Sequence, residues 1–175
     1  DASRVPATRT GGDVLIRNAT VLTMAQPGML EHTDILVRDG LIAQIGRGLG
    51  APGGTVAVDA TDAWVMPGII DDHSHMASDG GINEGTLSIT AQVRIEDVLH
   101  GDDLTLYRAA AGGVTTANVL HGSANTIGGQ RAIIQMKYGV PATELQFDDY
   151  PRGIKFALGE NVTRRRNRFP NTRMG

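Results

Sequence analysis

The sequence predicts an α/β chain, with an all-β block first and a strand–helix–strand unit after it. Two observations carry that expectation. Short apolar runs alternate with turn residues over 13–62. From Trp64 onward, long apolar runs flank a stretch with helical periodicity. Glycine, at 23 of 175 residues, is about twice its usual share, so tight turns are expected throughout.

Residues 1–12 are polar and Gly-rich and read as a loose terminus. Val14–Leu22 is β-branched and apolar, interrupted by Arg17-Asn18. Asp34–Arg38 and Leu41–Ile45 flank Asp39-Gly40, a strong hairpin signal because a type I′ turn needs positive φ at both central residues. A Gly/Pro loop runs to Gly54, and Thr55–Ala60 alternates as a further strand. Together 13–62 read as a small β-sandwich or open sheet, and the sandwich is the expectation taken forward. Trp64–Ile70 is continuously apolar, as in a strand buried on both faces. Asp102 and Asp103 look like a helix cap and first turn. Leu104, Tyr107, Arg108 and Ala111 then fall on one helical face, and Gly112-Gly113 supplies the stop. Val114–Leu120 is a second buried strand, which completes a βαβ unit with parallel pairing. Ala132–Met136 is apolar but too short to assign, and Gly153–Leu158 is a third candidate strand.

Composition excludes several classes. The formal net charge is −3, without the basic surplus of a dedicated nucleic-acid binder. No apolar run is long enough for a membrane-spanning helix. Cysteine is absent, which excludes disulfides, thiolate catalysis and Cys-ligated zinc in this chain. Arg164-Arg165-Arg166 with Arg168 reads as a solvated face or loop. The chain opens at Asp1 rather than Met. A processed start after signal removal predicts a periplasmic or secreted protein, and otherwise a cytoplasmic one is expected.

The sharpest chemical feature is Asp71-Asp72-His73-Ser74-His75 at the end of the apolar run. Residues two apart on a strand share a face, so His73 and His75 can bind one metal ion together. By the same alternation Asp71 lies on that face one layer deeper, where it could orient an imidazole. Strand ends are also where α/β sites are built. His121 follows the second strand directly, as a substrate or metal contact or a polar loop residue. The glycines from Gly122 to Gln130 suggest backbone that closely approaches something. Gln130 and Asn125 are candidate donors to a substrate carbonyl.

Met66-Pro67-Gly68-Ile69-Ile70-Asp71-Asp72-His73-Ser74-His75 resembles the first barrel strand of the metal-dependent amidohydrolase superfamily. Gly113–Thr116 resembles its second strand. Gly122–Asn125, Ile127–Gln130 and Gly153–Asn161 resemble the branch related to imidazolonepropionases. The resemblance implies an N-terminal β-domain over 13–62 and, over 63–175, the first βα units of a TIM (β/α)8 barrel. It further implies one or two divalent metal ions, expected to be zinc, and hydrolysis of an amide or cyclic amide C–N bond by metal-activated water. His73 and His75 would be ligands. Lys155, as a carbamylated lysine, or Glu160, as a carboxylate, would bridge to a second metal; a salt-bridged Lys155 and a solvent-facing Glu160 are the structural alternatives. His121 and Gln130 would be substrate-binding.

A complete barrel takes about 250 residues, more than the chain has after Trp64. The barrel is therefore expected to be incomplete, with its general base outside this chain and a second chain or further sequence completing it. The chain alone is expected to be inactive and the protein oligomeric, with a small-molecule substrate and neither nucleic acid nor membrane as partner. Deacetylase, deaminase, peptidase and cyclic-amidase chemistries all fit. The alternative is a metal-free scaffold of the same fold that works through protein–protein contacts.

Overall fold

The computed structural model describes residues 8–163, 168, 169 and 172. They are mixed α/β and mostly strand. The chain forms two compact units, divided between Pro67 and Gly68. No helix among the described residues is long and apolar enough to cross a membrane.

The first unit is built around β1 (Val14–Leu22). Strands β2 (Met29–Arg38) and β3 (Leu41–Gly46) add antiparallel on one side. Strand β4 (Val56–Asp59) pairs parallel with the first half of β1, and β5 (Trp64–Val65) pairs parallel with its second half. The β2–β3 turn has Asp39 at φ 50° and Gly40 at φ 76°, the two positive values of the expected turn. Among the described residues these strands make one five-stranded sheet rather than the two layers of a sandwich. Each face of that sheet buries a small cluster. Leu15 and Leu36 pack with Leu49, while Ala19, Val21 and Ile35 pack with Ala60. Residues 10–13 are tied down, because Gly12 accepts from the Gly40 amide and Thr10 from the Asp13 amide, whereas a loose terminus is expected through residue 12; residues 1–7 of that stretch lie outside the described residues.

Arg17-Asn18 breaks the apolar pattern of β1 because a bulge sits there. Ile16 pairs with Ile35 and Ala19 with Thr33, so β1 carries one extra residue. Asn18 takes φ 57°. The buried Asp34 carboxylate holds this kink: it accepts from the Asn18 amide at 2.9 Å and from the Leu49 amide at 3.0 Å. The Asn18 amide holds that carboxyl below its ordinary range; burial opposes the effect, and the Leu49 amide and the Arg17 guanidinium add to it.

In the second unit, β6 (Ile69–Ser74) pairs parallel with β7 (Val114–Val119), and α1 (Leu104–Ala111) lies between them in the chain. Asp103 caps α1, its carboxylate accepting from the Thr105 amide at 2.9 Å and from the Ala77 amide at 2.9 Å. Gly113 at φ 89° ends it. The buried face differs from the expected stripe. Leu106 is fully buried, whereas Arg108 and Ala111 are exposed. Three consecutive alanines leave too little apolar contrast for periodicity to pick the face. Burial of Leu106 alone contributes about 2 kcal/mol.

The Trp64–Ile70 run is not one doubly buried strand. Trp64-Val65 belongs to the first sheet, and Pro67-Gly68 separates it from β6. Gly68 fits because a Cβ there would lie 2.1 Å from Thr115 Cγ2. Ile70 is 68% exposed, since β6 edges its sheet among the described residues. The third strand of that sheet, β9 (Ala132–Gln135), runs antiparallel to β7. Strand β10 (Ile154–Phe156) does not extend the parallel pairing either; it forms an antiparallel ribbon with β8 (Ile127–Gln130). Ala117, Val119, Ala132 and Ile134 face a core shared with Leu106, Ile95 and Leu145.

Asp34→Asn is expected to cost about 1–3 kcal/mol of first-unit stability, because buried backbone donors lose a charged acceptor. The folded-state carboxyl titrates below its unfolded value, so its contribution is present above about pH 4 and disappears as pH falls through the lower, folded value. Urea denaturation at pH 7 and pH 3 checks both points; the variant should lack that acid-dependent component. Asp103→Ala should cost about 1 kcal/mol in the same assay.

Candidate active site at the end of β6

Between Asp71 and Ser74, β6 contains one residue more than the β7 segment opposite it. Asp71 pairs with Ala117 and Ser74 with Val119. Ala117 and Val119 both face the helix-packed core, so Asp71 and Ser74 share that side. His73 and His75 flank Ser74 and project from the other, open side. Asp71 therefore does not lie beneath the imidazoles as simple alternation predicts; its carboxylate accepts from the His73 amide at 3.2 Å. The bulge is held by Asn118, whose side-chain amide donates to the Asp72 carbonyl at 3.0 Å.

The two imidazoles stand edge to face with centroids 5.1 Å apart. His75 Nδ1 lies 2.8 Å from the Leu120 carbonyl. A carbonyl can only accept, so Nδ1 carries the proton and Nε2 of the neutral ring keeps its lone pair. Lys155 Nζ lies 3.3 Å from His73 Nε2. An ammonium can only donate, which makes that Nε2 an acceptor as well. His75 thus presents a free Nε2 lone pair on a ring whose orientation the Leu120 carbonyl fixes, whereas the His73 Nε2 lone pair is engaged by Lys155 Nζ. Imidazole nitrogens are donors that a divalent ion takes, and His73 could offer its Nε2 to one only where Lys155 Nζ does not donate to it.

Of the two bridging candidates, the fold carries Lys155 to the pair. Glu160 opens the short helix Glu160–Thr163 and is exposed. Among the described residues no three His, Asp or Glu side chains converge tightly enough to hold a metal ion, so neither Glu160 nor Asp71 completes a set with His73 and His75. A groove of about 460 Å³ lies on the open face, lined in part by Ile70, Asp72, Thr116, Asn118 and Ile133.

The other expected contacts turn inward. His121 is 2% exposed, and its Nδ1 donates to the Ile82 carbonyl at 3.0 Å. Gln130 is half-buried and donates to the Ala91 carbonyl at 3.2 Å. Asn125 is fully buried and bonds to the Glu84 carbonyl and Thr90 Oγ1, so it bolts loops together rather than facing a substrate. Arg168 is not a free solvated charge: it donates to the Gly85 and Ala124 carbonyls and to Asn125 Oδ1. Arg164–Arg166 lie outside the described residues. The close approach expected of the glycines is to other parts of the protein. A Cβ on Gly129 would lie 2.5 Å from His121 Nε2, and one on Gly122 would lie 2.6 Å from Asn83 Nδ2. Sequence reasoning missed the Leu120 carbonyl and Asn118. The first is a backbone group with no side-chain signature, and the second reads as one polar residue within an apolar strand.

No family model matches the chain. A dihydroorotase of Pelobacter propionicus is 43% identical over 68 residues, 39% of this chain and 16% of that protein. Amidohydrolase tasK of Hapsidospora irregularis is 31% identical over a 201-residue alignment, 94% of this chain and 20% of that protein. The crystal structure of an amidohydrolase from Thermotoga maritima superposes with a TM-score of 0.81 at 34% identity, covering 93% of this chain and 44% of that one. The chain thus spans a fifth or less of these curated relatives and under half of the solved structure. These likenesses support the amidohydrolase superfamily for this chain, and the mixed, strand-rich fold matches that structural neighbour.

Gly129→Ala is expected to cost about 2 kcal/mol or more, because its φ is 133° and the new Cβ would lie 2.4 Å from the Val93 carbonyl oxygen. Gly50→Ala, with open space around it, should stay within about 0.5 kcal/mol. Paired urea melts distinguish the two.

Proposed function

We propose that the protein containing this chain is a metal-dependent amidohydrolase that cleaves the C–N bond of an amide or cyclic amide. The observation that carries the reading is the convergence of His73 Nε2, Lys155 Nζ and the oriented His75 ring at one strand end. A bound divalent ion, zinc in this proposal, supplies a water acidified to about pKa 7 and polarises the carbonyl under attack. The chain's own part is to present the two imidazoles, that of His75 in the tautomer fixed by the Leu120 carbonyl. Lys155, if its Nζ gave up a proton and bonded to carbon dioxide as a carbamate, would cease to donate as an ammonium to His73 and would offer a carboxylate beside it; it is preferred to Glu160 as the bridging group. Gln130 is the last residue of β8 in the ribbon that carries Lys155, and as the proposed substrate contact its amide would have to leave the Ala91 carbonyl. The general base and the remaining ligands come from sequence outside this chain or from a second chain, which completes a (β/α)8 barrel on the units that begin with β6 and β7.

Relatives named dihydroorotase and D-hydantoinase support a cyclic amide as the substrate class. The loop motifs from Gly122 to Gln130 favour the imidazolonepropionase-related branch within the superfamily.

The test is metal analysis of the intact protein followed by hydrolysis assays on six-membered and five-membered cyclic amides and on N-acyl amino acids. One or two equivalents of metal and turnover of at least one class are expected. Replacing an outer partner of a metal-bound histidine typically costs 10–100-fold, so His73→Ala or His75→Ala should lower activity by more than about 100-fold and reduce the metal content. Undiminished turnover by the metal-free protein, or by His73→Ala, would overturn the reading. A folded protein with no metal and no turnover would favour the scaffold alternative.

A further inference from the structure

We infer that His121 is a positioning residue, which sets His75 through the Leu120 carbonyl and seats the ribbon that carries Lys155. His121 directly follows Leu120, whose carbonyl accepts from His75 Nδ1 at 2.8 Å. Its own Nδ1 donates to the Ile82 carbonyl at 3.0 Å, so the peptide bearing the Leu120 carbonyl is anchored one residue further on. The ring is 2% exposed and is held from the opposite side. A Cβ on Gly128 would stand 3.1 Å from His121 Cβ and 3.5 Å from Lys155 Cγ. One on Gly129 would stand 2.5 Å from His121 Nε2. The two glycines therefore let β8 close onto the imidazole, and Gly129 is the register partner of Lys155 in the β8–β10 ribbon. Nε2 of His121 is buried without a hydrogen-bond partner. That cost is consistent with a ring kept for where it sits and for its single donor bond. One side chain thus borders both halves of the candidate site. Because it is buried, it acts on His75 and Lys155 rather than on a substrate directly.

Two substitutions separate this role from simple packing. His121→Met refills the space with a flexible apolar chain and removes the donor. His121→Asn keeps a side-chain N–H able to reach the Ile82 carbonyl. The first readout is a long-range proton–nitrogen spectrum of the metal-free intact protein with labelled histidine, which reports which ring nitrogen of His75 is protonated. The native protein and His121→Asn should both show His75 protonated at Nδ1, whereas His121→Met should show mixed tautomers. The second readout is zinc affinity by chelator competition, which His121→Met should weaken by about 10–100-fold and His121→Asn should largely restore. A folded His121→Met with native His75 signals and native affinity would overturn the inference. So would a His121→Asn variant as impaired as His121→Met. If His121→Met does not fold, His121→Asn alone decides, since loss of its His75 tautomer contradicts the proposal. Only the zinc arm rests on the hydrolase reading: a native protein that takes up no zinc would sink that reading, while the tautomer arm would still judge His121.

Discussion

The ladder between β6 and β7 does not run in even steps. From Asp71 to Ser74, β6 advances three residues while β7 advances two. Side chains alternate along a strand, so a single extra residue reverses which face every later side chain takes. Before the bulge the odd-numbered Asp71 points toward the helix-packed core; after it, the odd-numbered His73 and His75 point toward the open side. An unbulged strand would put Asp71 on the imidazole face. The bulge also leaves a carbonyl out of the ladder, and Asn118 from β7 supplies its donor. The direction of both imidazoles thus depends on a backbone irregularity secured by one asparagine.

The first unit uses the same device for a different end. Its bulge at Arg17-Asn18 is secured by the Asp34 carboxylate, which also gathers the loop after β3. In both units a polar side chain on the neighbouring strand satisfies backbone that the bulge has freed. The acceptor in the first unit is a buried charge, which ties that unit's stability to acid pH. The donor in the second is a neutral amide, which carries no such linkage.

Much of the local structure was legible. Asp39-Gly40 announced its turn because only a few residues tolerate two successive positive φ values. Asp103 announced the start of α1 because its carboxylate satisfies otherwise orphaned amides. The His-x-His pair was visible as spacing alone. Other features were not legible, for physical reasons. A bulge leaves no residue-type signature at Asp72-His73, so Asp71 was expected beneath the imidazoles. Trp64–Ile70 reads as one apolar strand because hydrophobicity does not record that Val65 and Ile69 belong to separate sheets. The antiparallel turn into β9 depends on long-range pairing that no local pattern encodes. The Leu120 carbonyl, which orients His75, is main chain and invisible to any reading of side chains.

The central claim is that the bulged end of β6 delivers two imidazole Nε2 atoms to one divalent ion. X-ray absorption at the zinc edge of the intact, zinc-loaded protein tests this most directly. The account predicts an inner sphere with at least two imidazole nitrogens at about 2.0–2.1 Å, reduced by one in His73→Ala and by one in His75→Ala. An inner sphere without imidazole scattering, or one that both substitutions leave unchanged, would contradict it.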